Sequence, residues 1–321
     1  DNYDGYSEGD SGNVDGFGGH ANKETSTGNI FRGCRAWNNG DDGFDLINCY
    51  ASYIIEYCWS FRNGYKPHSI ESSGGNGAGF KSGGYGMGDI KKVPNPIPQH
   101  TVRYCLAYYN RQQGFYSNHH LGGLIFENNT AYKNPSNYNM LNRKSSNEAV
   151  DVPGYGHIIK NNLSLSPRNS GGFPQHLINV DNTLSEIKNN SFAPNDLNLS
   201  ESDFESLNEQ ELMGSRKSDG SLPDINFLRL TNHANFRFSG MGCFINEEAV
   251  DYSWIQEPAI VLENGVARIV GENSRSFNKF YVNGEEVSIE NGIVDLTSMS
   301  GELNLKAISE NGAVTTLIIN K

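Results

Sequence analysis

The chain has 321 residues, a formal net charge of −12 and only 36% hydrophobic residues. That acidic balance disfavours nucleic acid or an anionic membrane as partner, and no apolar run approaches the roughly 20 residues of a membrane helix. Five cysteines, an odd number, give no disulfide framework, while 36 glycines and abundant asparagine suit many short strands and tight turns.

The chain opens in "DNYDGYSEGD" without a leader, so processing or truncation is expected. A repeat then organises residues 1 to about 195. Six segments align: "FRGCRA" from 31, "IEYCWS" from 55, "VRYCLA" from 102, "FENNTA" from 126, "IKNNLS" from 159 and "IKNNSF" from 187. Each begins apolar and carries Cys or Asn at its fourth position: Cys34, Cys58, Cys105, Asn129, Asn162 and Asn190. A small residue usually follows two places on, and a further Asn recurs at Asn39, Asn63, Asn110 and Asn134. A second recurring element is Gly16-Phe17, Gly43-Phe44, Gly79-Phe80 and Gly114-Phe115. A short period with variable insertions argues for a solenoid, and segments this short and β-prone cannot be paired helices. The expected fold is all-β: a right-handed parallel β-helix whose aligned residues form ladders about 4.8 Å apart. Asparagines would bond up and down such a ladder. Cysteines there act as small buried hydrophobes, and a reduced stack is favoured over a Cys34–Cys58 disulfide.

Near residue 195 the repeat fades. "SESDFESLNEQELMGSRKSDGSLPDINFLRL" reads as a polar cover, with a short helix and turns, closing the open end of the stack. Residues 257–321 change character again, to alternating strands broken by Asn264-Gly265, Asn283-Gly284, Asn291-Gly292 and Asn311-Gly312. These are hairpin signals. The expectation is two domains, a β-helix over 1–256 and a small antiparallel β-sandwich over 257–321, the latter an accessory or anchoring module. Trp254 is slender support for carbohydrate binding by it.

The chemistry gathers where the Gly-Phe elements align. "NNGDDGFDLI" places Asp41, Asp42 and Asp45 within five positions. If each Phe points inward, the next residue points outward. Asp45 and Lys81 then share one face on neighbouring coils, and Asp15 stacks with Asp42, which the Asp42-Gly43 turn keeps from the interior. An all-oxygen cluster of Asp15, Asp41, Asp42 and Asp45 suits a hard cation such as Ca²⁺; with neither His nor Cys in it, zinc does not fit. A lone Asp-Asp-Gly would be a plain polar corner, but Asp15 in register favours a metal. Lys81 sits in "NGAGFKSGG", flanked by glycines and by long insertions at 64–76 and 82–100 that could wall a groove. A structural Lys81–Asp45 salt bridge is the plainer alternative, worth little if exposed.

A metal beside a lysine suggests β-elimination of a uronic acid polymer. A base removes the C5 proton, and a cation on the carboxylate stabilises the charge that develops. The lysine must be neutral, and a nearby cation and partial burial are expected to lower its pKa and give an alkaline optimum.

These motifs, "GNVDGF", "FRGCRAWNNGDDGFDL", "NGAGFKSGG", "HTVRYCLAYYNRQQGF" and "GSRKSDGSLPDINFLRL", resemble polysaccharide lyase family nine over roughly residues 1–230. The resemblance implies a right-handed parallel β-helix with calcium held by Asp15, Asp41, Asp42 and Asp45, the Val14 carbonyl a further candidate, and Lys81 as Brønsted base. It further implies a secreted, periplasmic or cell-surface monomer acting on an acidic pectic polysaccharide, rhamnogalacturonan I or homogalacturonan. The family's N-terminal coils are expected to be missing before Asp1, and the sandwich lies outside the matched region. Arg111, His119, His120, Arg143 and Lys144 are candidates for binding substrate carboxylates, with ordinary surface charge as the alternative for each. The rival readings are an inverting polygalacturonase-type hydrolase using Asp41 and Asp42, a non-catalytic glycan-binding β-helix, and a uronate epimerase. The hydrolase's usual Gly-His-Gly is absent.

Overall fold

The structure is a computed structural model that describes residues 13–86, 93–168, 175–192, 197–245, 259–263, 265–270, 277–290, 292–309 and 314–321. It divides into two compact units, Asp1–Ile245 and Asn246–Lys321. The boundary expected between 256 and 257 and the side chain of Trp254 lie outside the described residues.

In the first unit three short strands per coil stack into three parallel sheets. The first sheet contains Phe17–Gly18, Phe44–Asp45, Phe80–Lys81, Phe115–Tyr116, Tyr138–Asn139 and Leu177–Ile178. The second runs from Asn29–Arg32 to Glu186–Lys188, and the third from Arg35–Trp37 to Leu163–Leu165. Pairing is strictly in register, as Ile55 with Val102 and Ser60 with Ala107 illustrate.

The bend between the second and third sheets is made by one left-handed residue per coil. Gly33, Tyr57, Tyr104, Asn128, Asn161 and Asn189 all have φ between 53° and 61°. Asparagine is common there because it tolerates this conformation better than most residues. The next residue is the aligned Cys or Asn. Asn129 Nδ2 donates to Asn162 Oδ1 at 3.1 Å, and Asn162 Nδ2 to Asn190 Oδ1 at 3.0 Å. A second ladder follows the third sheet: Asn39 to Asn63 at 2.7 Å, Asn63 to Asn110 at 2.9 Å and Asn110 to Asn134 at 3.0 Å. All five cysteines are free thiols.

Inside the coils Phe17, Phe44, Phe80, Phe115 and Tyr138 form one stack, with successive ring centroids 4.9 to 5.0 Å apart. The glycine before each Phe leaves space rather than supplying an unusual angle. Gly43 is outside the left-handed region, but a Cβ there would lie 2.0 Å from Ser60 Oγ and 2.7 Å from the Gly79 carbonyl. That corrects the expectation that Gly43 serves a turn conformation.

The cover segment also differs from expectation. It packs along the outside of the third sheet rather than over an open end: Phe204, Leu212, Phe227 and Phe238 share a core with Trp59, Phe61, Leu106, Tyr108 and Leu163. The reason lies in strands such as Trp59-Ser60-Phe61, whose small central residue faces inward and whose large residues face outward. That outer apolar face must be covered. The segment's helical pieces are short, Glu201–Asp203, Glu209–Met213 and Asn232–Arg237.

The second unit has two antiparallel sheets, of three and four strands, sharing a core that includes Ile260, Ala267, Phe280, Val294 and Leu305. Asn283 and Gly284, with φ of 52° and 87°, make the turn between Phe277–Val282 and Glu285–Val287. Asn264, Asn291 and the Asn311-Gly312 pair lie outside the described residues.

Candidate active site

The first sheet carries the candidate site on its outward rungs. Gly18, Asp45, Lys81, Tyr116, Asn139 and Ile178 are partners in register on successive coils. Strand alternation explains the order: with the Phe stack inward, each following residue faces out.

Asp15, Asp41 and Asp42 bring one carboxylate oxygen each within 4.8 Å of one another. Backbone amides hold them. The Asp42 N–H donates to Asp15 Oδ1 at 3.0 Å. Asp41 Oδ1 accepts from the amides of Asn76 at 2.5 Å and Gly77 at 3.3 Å, and Asp42 Oδ1 accepts from Ala78 at 2.6 Å. The Val14 carbonyl accepts from the Asp41 amide at 2.9 Å. The loop after Gly64 therefore folds over the cluster, and Ser73 Oγ ties it to the Gly40 carbonyl. Asp42 is fully buried, contrary to the expectation that a turn would keep it out of the interior.

Asp45 Oδ1 accepts from the Ile47 amide at 2.7 Å, and its Oδ2 faces Lys81 Nζ at 2.9 Å. Lys81 also lies 3.1 Å from Asp42 Oδ2, and its side chain is only 12% exposed. The pair is thus not the weak surface bridge weighed from sequence. Burial pulls the Lys81 pKa down, but the Asp42 and Asp45 carboxylates push it up further, and the balance is well above the usual lysine value. The lowering expected from sequence requires a cation beside the lysine; without one the two carboxylates dominate. Burial, with the neighbouring Asp45 second, pushes Asp15 up to about 6. Burial pushes Asp42 up to about 8 against the opposing pull of Lys81, and Asp41 is also raised by burial. Four carboxylates around one ammonium leave the cluster short of positive charge. With oxygen donors only, it fits a hard cation such as calcium.

The expected substrate contacts divide. His120 is a core residue: fully buried, its Nδ1 accepts from the Gly84 amide at 3.1 Å and its Nε2 meets the Pro98 carbonyl at 3.1 Å. It cannot meet a polymer. Arg111 Nη1 donates to the carbonyls of Gly75 at 2.6 Å and Asn76 at 3.4 Å, bracing the loop that holds Asp41. Lys144 pairs with Glu148 at 2.8 Å in an exposed hairpin, Asn142–Ser145 with Glu148–Val152. Arg143, on the same hairpin, lies 3.6 Å from Asp151, which meets His119 Nδ1 at 2.7 Å. His119 Nε2 is 2.9 Å from the Tyr116 hydroxyl. Sequence reasoning aligned Tyr116 with Lys81 on the outward face but gave it no role, and passed over Asp151, which nothing in the sequence ties to the ladder.

The family model described as Pel9A-like, right handed beta helix region, matches residues 1–191, and the one described as rhamnogalacturonan lyase-like, C-terminal, matches residues 181–316. A solved rhamnogalacturonan lyase is similar at 55% identity and a TM-score of 0.68, over 76% of this chain and 58% of that one. The crystal structure of pectate lyase Pel9A is similar at 34% identity and a TM-score of 0.53, over 68% and 47%. Pectate lyase L of Dickeya chrysanthemi is 35% identical over 240 residues, 75% of this chain and 48% of the relative. The chain spans about half the length of the curated relatives it matches. With most of its length inside the first of these models, the chain belongs to the Pel9A-like right-handed β-helix family.

Proposed function

We propose that this protein cleaves a pectic uronate polymer by β-elimination, with rhamnogalacturonan as substrate and Lys81 as base. The observation that carries the reading is Lys81 Nζ, 2.9 Å from Asp45 and 3.1 Å from Asp42, at the edge of the Asp15, Asp41 and Asp42 cluster. Those three carboxylates, with Asp45 and the Val14 carbonyl as further oxygens, would hold a calcium ion. When bound, calcium supplies positive charge against a substrate carboxylate and against the enolate-like charge of the transition state. Lys81 takes the C5 proton, and its neutral form is favoured only when Asp42 and Asp45 no longer face it as bare carboxylates. The loop braced by Arg111 keeps Asp41 in place and water out.

The 55% identity to a rhamnogalacturonan lyase supports that substrate over polygalacturonate. The pectate lyase relatives favour polygalacturonate as the second reading. An inverting hydrolase is less suited, because the clustered oxygens lie within 4.8 Å, whereas an inverting acid and base stand about 6.5–9.5 Å apart. A pectic polymer is met outside the cytoplasm, so we place the protein there, and fractionation of the producing cell checks this.

The test is incubation with rhamnogalacturonan and with polygalacturonate, with and without chelator, followed by absorbance of unsaturated uronate. Chelator-sensitive absorbance from the first polymer is expected; from polygalacturonate alone, it would move the substrate to the second reading. Reducing ends without absorbance would sink the lyase reading. Lys81→Ala is expected to bind calcium and lose turnover; retained turnover removes Lys81 as base.

A further inference from the structure

Elimination leaves a sugar alkoxide to be protonated, and Lys81 cannot both take the C5 proton and give one to the leaving oxygen in the same instant. The rung beside it has a group suited to that task. Tyr116 pairs in register with Lys81 on the outward face of the first sheet. Its hydroxyl lies 2.9 Å from His119 Nε2, and His119 Nδ1 lies 2.7 Å from Asp151 Oδ1. An ionised carboxylate only accepts, so the Nδ1 proton faces Asp151, Nε2 becomes the acceptor, and the phenol is the donor.

The arrangement comes from separate parts of the fold. The first sheet supplies Tyr116, the bend after it supplies His119, and the hairpin Asn142–Ser145 with Glu148–Val152 delivers Asp151. Arg143, across the hairpin from Asp151, lies 3.6 Å from the same carboxylate oxygen. Asp151 is half exposed and His119 a quarter exposed, so the chain of groups opens to water. Burial also keeps Tyr116 protonated, pushing it up to about 12. A lysine or carboxylate elsewhere on the ladder would not combine a held proton with a path back to solvent: the other rungs are Gly18, Asn139 and Ile178, besides the Asp45–Lys81 pair itself.

We infer that Tyr116 donates the proton to the departing glycosidic oxygen, with His119 and Asp151 as positioning residues. This rests on the lyase reading above. The C5–H bond breaks, with its proton going to Lys81. The C4–C5 double bond forms as the C4–O4 bond breaks, the electron pair goes to O4, and O4 takes the Tyr116 proton, the hydroxyl turning about its C–O bond from His119 Nε2 toward O4 as the polymer binds. Water reprotonates the tyrosinate, and the proton on Lys81 returns to water. Nothing is oxidised or reduced, and the products are one unsaturated uronate and one new hydroxyl.

The test compares two substrates. One is the polymer; the other is a uronate carrying a nitrophenoxy group at C4, which departs without protonation. Tyr116→Phe should lose roughly 10²-fold in kcat on the polymer with KM unchanged. On the nitrophenoxy substrate it should stay within about threefold of wild type. His119→Ala should show the same pattern at about tenfold. Polymer turnover close to wild type in Tyr116→Phe overturns the assignment, as does equal loss on both substrates. If wild type forms no unsaturated product from either substrate, the lyase reading itself has failed; if Lys81→Ala alone is inactive on both, that reading stands and only the Tyr116 comparison decides.

Discussion

Replacing Asn110 by alanine strikes the asparagine ladder at its centre. Asn110 Oδ1 accepts from the Asn63 backbone amide at 3.1 Å and from Asn63 Nδ2 at 2.9 Å; its own Nδ2 donates to the Ser60 carbonyl and to Asn134 Oδ1, both at 3.0 Å. In the alanine variant the Asn63 side chain keeps Ser60 Oγ at 3.0 Å as a partner, but its backbone N–H loses its acceptor in a dry interior. A stranded buried donor costs about 1–3 kcal/mol and a lost hydrogen bond about 1 more. Adding a small cavity, the expected destabilisation is roughly 3–5 kcal/mol. Asn110→Asp separates hydrogen bonding from volume. It preserves shape and the acceptor but turns an oxygen toward the Ser60 carbonyl and Asn134 Oδ1, so it should be at least as damaging at pH 7. Urea unfolding followed by tryptophan fluorescence measures both, with Asn147→Ala in the exposed hairpin turn as a control expected within about 0.5 kcal/mol of wild type. A loss under about 1 kcal/mol in Asn110→Ala, or a well-tolerated aspartate, would refute the reasoning.

Acid should unfold the protein through its buried histidines. Burial pushes His120 and His157 down to about 4 from 6.5. With folded pKa values depressed, the stability they contribute is full above about pH 6.5 and falls as pH drops toward 4, by about 1.4 kcal/mol per unit for each. Urea midpoints between pH 7 and 4 check this, and His157→Gln should flatten the slope. Calcium affinity should weaken as pH falls from 8 to 6, because protons held by Asp42 and Asp15 compete with the ion, by up to about tenfold per unit; a pH-independent calorimetric affinity would remove both from the ligand set. Arg111→Ala should loosen the 64–77 loop and weaken calcium binding about tenfold without altering the Lys81 partners, and unchanged affinity would return Arg111 to the surface. Gly43→Ala, driving a Cβ to 2.0 Å from Ser60 Oγ, should destabilise by about 3 kcal/mol or more, read from the same urea curves.

The repeat could be read from sequence because a coil of fixed register puts chemically equivalent residues in equivalent places. The Phe stack, the asparagine ladders and the pairing of Asp45 with Lys81 all follow from that one rule. It failed where the backbone leaves strand geometry. Asn118 and His119 both take left-handed angles, with φ of 53° and 57°. Alternation is lost there, and nothing in "SNHHLGG" says that His120 enters the core while His119 faces Tyr116. Asp42 was misplaced for a related reason: the loop that buries it comes from the next coil, 36 residues away at Ala78. The side-on position of the cover could have been read from Trp59-Ser60-Phe61, in which the large residues sit on the face away from the Phe stack.

The spacing of the ladder has a consequence for how such molecules diversify. Asn39 and Asn63 are 24 residues apart, Asn63 and Asn110 are 47, and Asn110 and Asn134 are 24 again, yet the rungs meet at nearly equal distances. Doubling a loop costs only about 0.6 kcal/mol in closure entropy, far less than breaking one rung. Inheritance can therefore lengthen or trim the arms of a single coil while the rail of reactive side chains stays in step. On the function proposed above, reach toward a polymer and proton chemistry on it become separately adjustable traits within one chain.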